Sequence, residues 1–365
     1  MISKNFYAAL LLVLFCSTTK AQVNGAQFAF EYLRLPNSPH VTALGGINVA
    51  NPTPDINLAM QNPALMRPAL HNQVSFNYNN FYSGISNTNV AYGYYVPKLN
   101  TAFALGVQYL NYGSFAQTDN MGNQTGTFKA NDYAISLAAS KQYKERWRYG
   151  ATLKMAQSRL ADVSALALLA DVGIAYEDTA NFLTIGMVAK NMGFMAKQYT
   201  PGKFNNEALP FDLQLGISKR FKHLPLRLFS TIHHLYTWDV RYDNPEDKKN
   251  TSVFGSADTS ATKSNFTDKL FRHFIFGGEI TLAKRVGLTL AYNHMRRKEM
   301  ALDDKKGGAG YSFGASIYLQ KFQVHYARSF YSIAGAYNEF GLNIALNKFV
   351  SGGQTWKAEY PNWEP

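Results

Sequence analysis

The sequence predicts an all-β fold: an antiparallel transmembrane β-barrel of about 14 strands, closed at one stage by an irregular N-terminal plug module. Three observations predict it. From about Val74 onward, apolar and polar residues alternate in short segments. The links between those segments alternate in length, and after the leader no apolar run is long enough for a membrane-spanning helix.

The alternation is two-sided. Phe211, Leu213, Leu215 and Ile217 share one face of a strand, and Asp212, Gln214, Gly216 and Ser218 the other. Val286, Leu288, Leu290 and Tyr292 oppose Gly287, Thr289, Ala291 and Asn293, while Phe340, Leu342, Ile344 and Leu346 oppose Glu339, Gly341, Asn343 and Ala345. Strands are predicted near 74–82, 88–96, 102–118, 127–139, 147–160, 165–176, 182–192, 210–220, 226–242, 270–283, 287–302, 309–320, 322–333 and 336–348. The segment 165–176 is Ala/Leu-rich and suits a helix at least as well. An even count brings both ends to the same side, as in single-chain outer-membrane barrels.

Links after even-numbered strands are short or basic: Pro97 to Thr101, Ser140 to Arg146, Glu177 to Asn181, Phe221 to Pro225, Lys284-Arg285 and Lys321. The odd links include the long ones, Gly113 to Gly126, Gly193 to Leu209 and Asp243 to Lys269. Short turns on the periplasmic side and longer loops outside are the barrel pattern. Both termini are then periplasmic. Tyr94, Tyr95, Trp147, Tyr149, Trp238, Tyr242, Tyr326 and Tyr337 lie near strand ends and suit interfacial girdles, although cross-strand packing in any sheet would use them too. The soluble alternative is a secreted β-sandwich or propeller.

The chain divides into a signal peptide at 1–21, a plug or periplasmic module at 22–72, the barrel at 73–348 and a polar tail at 349–365. Lys4, the apolar run Phe6 to Phe15 and the small residues of Thr19-Lys20-Ala21 form the export signal. Phe15 before Cys16 departs from a lipoprotein signal, and Cys16 is the only cysteine, so a mature chain beginning at Gln22 has no disulfide or thiolate chemistry. Charged residues are only 16% while aromatics reach 14%, a balance unlike a disordered chain. The net charge of +12 raises nucleic acid as a partner. The basic residues fall in hairpin turns of an exported chain, which fits anionic lipid headgroups better.

The plug prediction rests on 28–70, where Pro36, Pro39, Pro52, Pro54, Pro63 and Pro68 interrupt any long strand or helix. Gly45 and Gly46 allow close backbone approach. Asp55 leads into the Asn62-Pro63-Ala64 turn, where Pro63 pushes Asn62 out of the helical region and the short amide satisfies nearby backbone. A 14-strand barrel leaves a channel unless something fills it.

No catalytic, cofactor or metal site is predicted. His233-His234, read as strand residues, would point to opposite faces and not share an ion. Asp303-Asp304 and Asp243, Glu246 and Asp247 read as solvated loops more readily than as Ca²⁺ sites. No nucleophile elbow, phosphate loop or dinucleotide fingerprint stands in a fitting context.

The run Phe28-Ala29-Phe30-Glu31-Tyr32-Leu33-Arg34-Leu35-Pro36-Asn37-Ser38, then Ala43-Leu44-Gly45-Gly46, Asp55 and Gln61-Asn62-Pro63-Ala64-Leu65, resembles the N-terminal signature of the PorV/PorQ family of type IX secretion barrels. That family is similar in shape to the long-chain fatty-acid transporters. His40 and Val41 depart from its pattern, and beyond Met66 only length and hairpin pattern match. The resemblance implies a non-enzymatic outer-membrane component of the attachment complex. It would hold a PorZ-like surface protein and act indirectly with a PorU-like sortase and a PorV-like barrel in attaching cargo to lipopolysaccharide. The alternatives are a channel for hydrophobic small molecules and a barrel-embedded hydrolase.

Overall fold

The computed structural model describes residues 28–199, 208–240, 266–300, 307–332 and 335–349. The predicted signal peptide, Tyr242, the acidic pairs at 243–247 and 303–304, most of the link from Asp243 to Lys269 and all but Phe349 of the predicted tail lie outside them.

Fourteen strands close into one antiparallel barrel, each paired to its sequence neighbours and β1 to β14. They are β1 Gln73–Asn80, β2 Ser86–Val96, β3 Thr101–Thr118, β4 Gln124–Tyr143, β5 Trp147–Leu160, β6 Val163–Asp178, β7 Leu183–Lys197, β8 Asp212–Arg220, β9 Leu226–Ile232, β10 Phe274–Leu282, β11 Val286–Asn293, β12 Tyr311–Tyr318, β13 Phe322–Ser332 and β14 Gly335–Ala345. Closure removes the free edges that a sandwich would carry.

The period-2 pattern places polar side chains inside and apolar ones outside. On β1, Gln73, Ser75, Asn77 and Asn79 are buried while Phe76 and Tyr78 are exposed. Leu153 is 66% exposed and Phe340 59%, whereas Asp171 and Glu339 are 0% exposed. Water would penalise that outer face at about 25 cal/mol per Å², and lipid does not. Among the described residues no helix is long and apolar enough to cross a membrane; the apolar outer face of the closed barrel is what lipid would cover. Protein purified in detergent should therefore migrate differently in gels before and after boiling. Identical migration would contradict a closed barrel in lipid.

The Ala/Leu segment is strand β6, as expected, and not the helix that its composition also suits: Ala165, Ala167 and Leu169 face inward, and the two alanines leave room for Phe30, Tyr32 and Leu33. Several elements differ from their sequence expectation. The link expected from Gly113 to Gly126 is mostly strand, because Asp119 accepts the backbone N–H groups of Met121 and Asn123 and closes a tight turn. Strand β9 ends at Ile232 rather than 242, β10 begins at Phe274 rather than 270, and β11 ends at Asn293 rather than 302. Of the displaced residues that are described, His294–Glu299 form a short helix, 270–271 end the helix Phe266–Phe271, and 233–240 hold turns. Tyr95 and Tyr337 are buried inside the wall and belong to no girdle, whereas Tyr94, Trp147 and Tyr149 stand outside.

Candidate functional site: the plug and the lumen

Residues 28–70 occupy the barrel interior, built from short elements that end where their capping groups run out. Helix α1, Pro39–Ala43, starts with Pro39 at its first turn and with Ser38 Oγ accepting the Val41 N–H at 3.3 Å. Helix α2, Ile56–Gln61, starts at Asp55, whose Oδ1 accepts the Asn57 N–H at 2.9 Å. Asn62 then turns the chain: its Oδ1 accepts the Ala64 N–H at 3.1 Å, and its Nδ2 donates to the Val49 carbonyl at 2.8 Å. Pro63 opens the 3₁₀ turn Pro63–Leu65, in which Ala64 is fully buried.

The wall facing this turn is cut back to glycine. A Cβ on Gly173 would lie 2.0 Å from Asn62 Oδ1, on Gly186 2.2 Å from the Val49 carbonyl oxygen, and on Gly150 2.6 Å from the Pro63 carbonyl carbon. Gly150 pairs with Gly173, and Gly186 with Gly216, so the smooth patch spans four adjacent strands. Gly45 and Gly46 serve the plug's own side. Both have positive φ, 88° and 98°, and a Cβ on Gly45 would meet Ile275 Cγ2 at 2.5 Å. Gly186→Ala should cost plug docking about 1–3 kcal/mol by overpacking. Gly126→Ala, whose nearest neighbour would be Gln117 Oε1 at 3.5 Å, is the control. Limited proteolysis within 28–70 distinguishes the two.

Buried charge fixes the plug at three places. Near the even-link end, Arg67 Nη2 lies 2.7 Å from Glu177 Oε1, and Arg148 Nη1 donates to the Met66 carbonyl at 3.3 Å. Between β9 and β10, Arg227 Nη1 lies 2.9 Å from Glu279 Oε2 and donates to Asn51 Oδ1 and Thr53 Oγ1, each at 2.6 Å. Beside it, His40 Nδ1 lies 3.0 Å from Asp55 Oδ2, and His40 Nε2 3.7 Å from Glu279 Oε1. Burial opposes a charge on His40, but the two carboxylates outweigh it and raise its pKa to about 9. Elsewhere Asn57, Ser75, Asn77 and Asn343 share amide and hydroxyl bonds, and Thr42 Oγ1 donates to Glu339 Oε2.

Above the plug, at the odd-link mouth, lies a cavity of about 470 Å³. Leu33, Leu35, Ile47, Phe81, Ile85, Leu110 and Met295 supply apolar lining. Arg34, Lys190, Arg296, His233, Asp212 and Gln214 supply polar groups. Four buried polar atoms of this lining have no protein partner: Arg34 Nε, Arg296 Nη1, His233 Nε2 and Gln214 Oε1.

His233 and His234 do not take the opposite faces expected of strand neighbours. The strand has ended at Ile232 and His234 has φ 56°, so the two Nδ1 atoms come to 2.5 Å and both rings line the cavity. Burial lowers the pKa of both. Neither is a lipid-interface histidine. The cavity-lining cations were invisible as a set in the sequence, because Arg34, Lys190 and Arg296 meet only through barrel closure.

No protein-family model matches the chain, and no curated protein does. Among solved structures it is similar to the TodX monoaromatic hydrocarbon channel deltaS2 mutant, at 13% identity and TM-score 0.49, over 85% of this chain and 97% of that one. It is also similar to the CymD monoaromatic hydrocarbon channel, at 13% identity and TM-score 0.47, over 87% of this chain and 97% of that one. A Pseudomonas aeruginosa FadL homologue shows 11% identity and TM-score 0.42, over 80% of this chain and 94% of that one. Likeness at this level carries no inference about ligand.

Proposed function

We propose that the protein is an outer-membrane barrel whose plugged lumen takes up a hydrophobic small molecule with an anionic end, a channel rather than an enzyme. The observation that carries this reading is the cavity at the odd-link mouth. It is mainly apolar, yet Arg34, Lys190 and Arg296 lie in its lining, with Arg34 Nε and Arg296 Nη1 buried and without a hydrogen-bond partner. An unpaired buried donor costs about 1–3 kcal/mol, which an anionic group would recover. The test is calorimetric titration of the protein in nanodiscs with laurate and with dodecanol. Laurate should bind more tightly, and Arg296→Gln should weaken laurate by roughly 10- to 100-fold while leaving dodecanol unchanged. Equal or absent binding of both would refute it.

A second reading has one observation in its favour. The residues that resemble the PorV/PorQ signature are the residues that build the plug, and a closed lumen suits an anchor. On that reading the barrel holds a PorZ-like surface protein, and acts indirectly with a PorU-like sortase and a PorV-like barrel. Replacing 244–268 with a short Gly/Ser linker should release that surface protein into the medium while the barrel stays in the membrane. Retention at wild-type levels would move the contact to another link.

A further inference from the structure

We propose that His40, Asp55 and His325 bind one transition-metal ion of the zinc class, which ties the plug to the barrel wall. The three donors come from three elements: α1, the cap of α2, and β13. Their ligand atoms all lie within 4.8 Å of one another, with Asp55 Oδ2 3.0 Å from His40 Nδ1 and 3.8 Å from His325 Nε2. Zinc about 2.0–2.2 Å from nitrogen and carboxylate oxygen sets neighbouring ligands roughly 3.4 Å apart, so short side-chain movements complete the set. Two imidazoles and one carboxylate select zinc, nickel or copper over magnesium and calcium.

A second observation is independent of those distances: the far side of two of the three donors is held by hydrogen bonds, and that of the third faces a carboxylate. His325 Nδ1 lies 2.8 Å from Ser316 Oγ, His40 Nε2 faces Glu279 Oε1 at 3.7 Å, and Asp55 Oδ1 accepts from the backbone and side chain of Asn57. Metal-ligating histidines characteristically give their second ring N–H to a carboxylate, hydroxyl or carbonyl, which orients the ring and fixes its tautomer. Ion pairing alone accounts for His40, which sits between two carboxylates. His325, 1% exposed, is stacked on His40 at 5.0 Å between centroids and 22° between planes, and its Nε2 lies 3.3 Å from Asn343 Nδ2 as well as 3.8 Å from Asp55 Oδ2. One ion uses both rings. On binding, the ion replaces the proton on His40 Nδ1, which leaves to solvent, and takes the place of the Asn343 amide on His325 Nε2.

The site is fully buried, so loading is tested during folding. The full-length mature chain is unfolded in denaturant and refolded into detergent with either zinc or a chelator, desalted, and measured for metal content and thermal midpoint. Gel mobility before and after boiling checks that each sample has folded. Wild type refolded in zinc should retain about one ion per chain and melt several degrees above the chelator-refolded sample. His325→Gln and His325→Ala leave the His40 ion pairs intact and should lose most of that zinc, at least tenfold in content. Equal zinc in folded wild type and a folded His325 variant would assign the metal to other histidines and overturn the proposal, as would wild type that retains none.

Discussion

Deletion of residues 28–66 should turn a closed barrel into an open one, with stepwise conductance in planar bilayers where the full chain shows none. The expectation follows from where the segment sits. It touches the wall at the glycine patch of β5 to β8, at Arg148 through the Met66 carbonyl, and at Arg227 through Asn51 and Thr53. The barrel itself is held by strand pairing that the deletion leaves untouched, since β1 begins only at Gln73. The inward face that the deletion uncovers mixes small residues with polar ones such as Ser75, Asn77, Arg148, Glu177 and Glu279, and leaves little side-chain volume to fill the lumen. A deletion variant that is heat-modifiable and still closed would show that wall side chains, not the plug, block the lumen.

Much of this fold was legible because a barrel writes its pattern twice, in period-2 alternation and in link length. All fourteen strands fall at the expected places, and the disagreements have local causes. The strand predicted at 165–176 has a helix-like composition because Ala165 and Ala167 thin the wall there to admit Phe30 and Tyr32. Strand ends were read too long at 226–242 and 287–302, since aromatic and histidine-rich turns such as His233 to Trp238 imitate alternation after pairing has ceased. The Gly113–Gly126 region was read as a loop because its glycines look like turn residues, yet only 119–123 turn.

The lumen was harder to read than the wall. Proline density at 28–70 gives irregularity but not the partners of any side chain. Glu279, Glu177 and Arg227 look like ordinary inward strand residues until barrel closure sets them beside Asn51, Arg67 and Thr53. The glycines at 150, 173, 186 and 216 are spaced too far apart in sequence to suggest one patch. Only the strand register brings them together.

The buried charge between β9 and β10 sets the second large expectation, for Arg227→Met. Arg227 is 9% exposed and Glu279 2%, and the guanidinium both faces the carboxylate and grips Asn51 and Thr53 of the plug. Removing one partner of such a pair leaves an uncompensated buried charge, at a cost of about 3–5 kcal/mol. That cost falls on the plug as well as the wall, because the lost hydrogen bonds were plug bonds. Amide hydrogen exchange across 48–59 should therefore speed up by about two to three orders of magnitude, with strand amides of β3 to β5 little changed. The double variant Arg227→Met/Glu279→Leu removes both charges, and should recover a large part of the loss, since apolar replacement of a buried pair is often close to neutral. If the double variant is as loose as the single one, the plug is held by the Asn51 and Thr53 hydrogen bonds themselves. If Arg227→Met changes nothing, the plug is fixed by the glycine patch and the Arg67–Glu177 pair without help from Arg227.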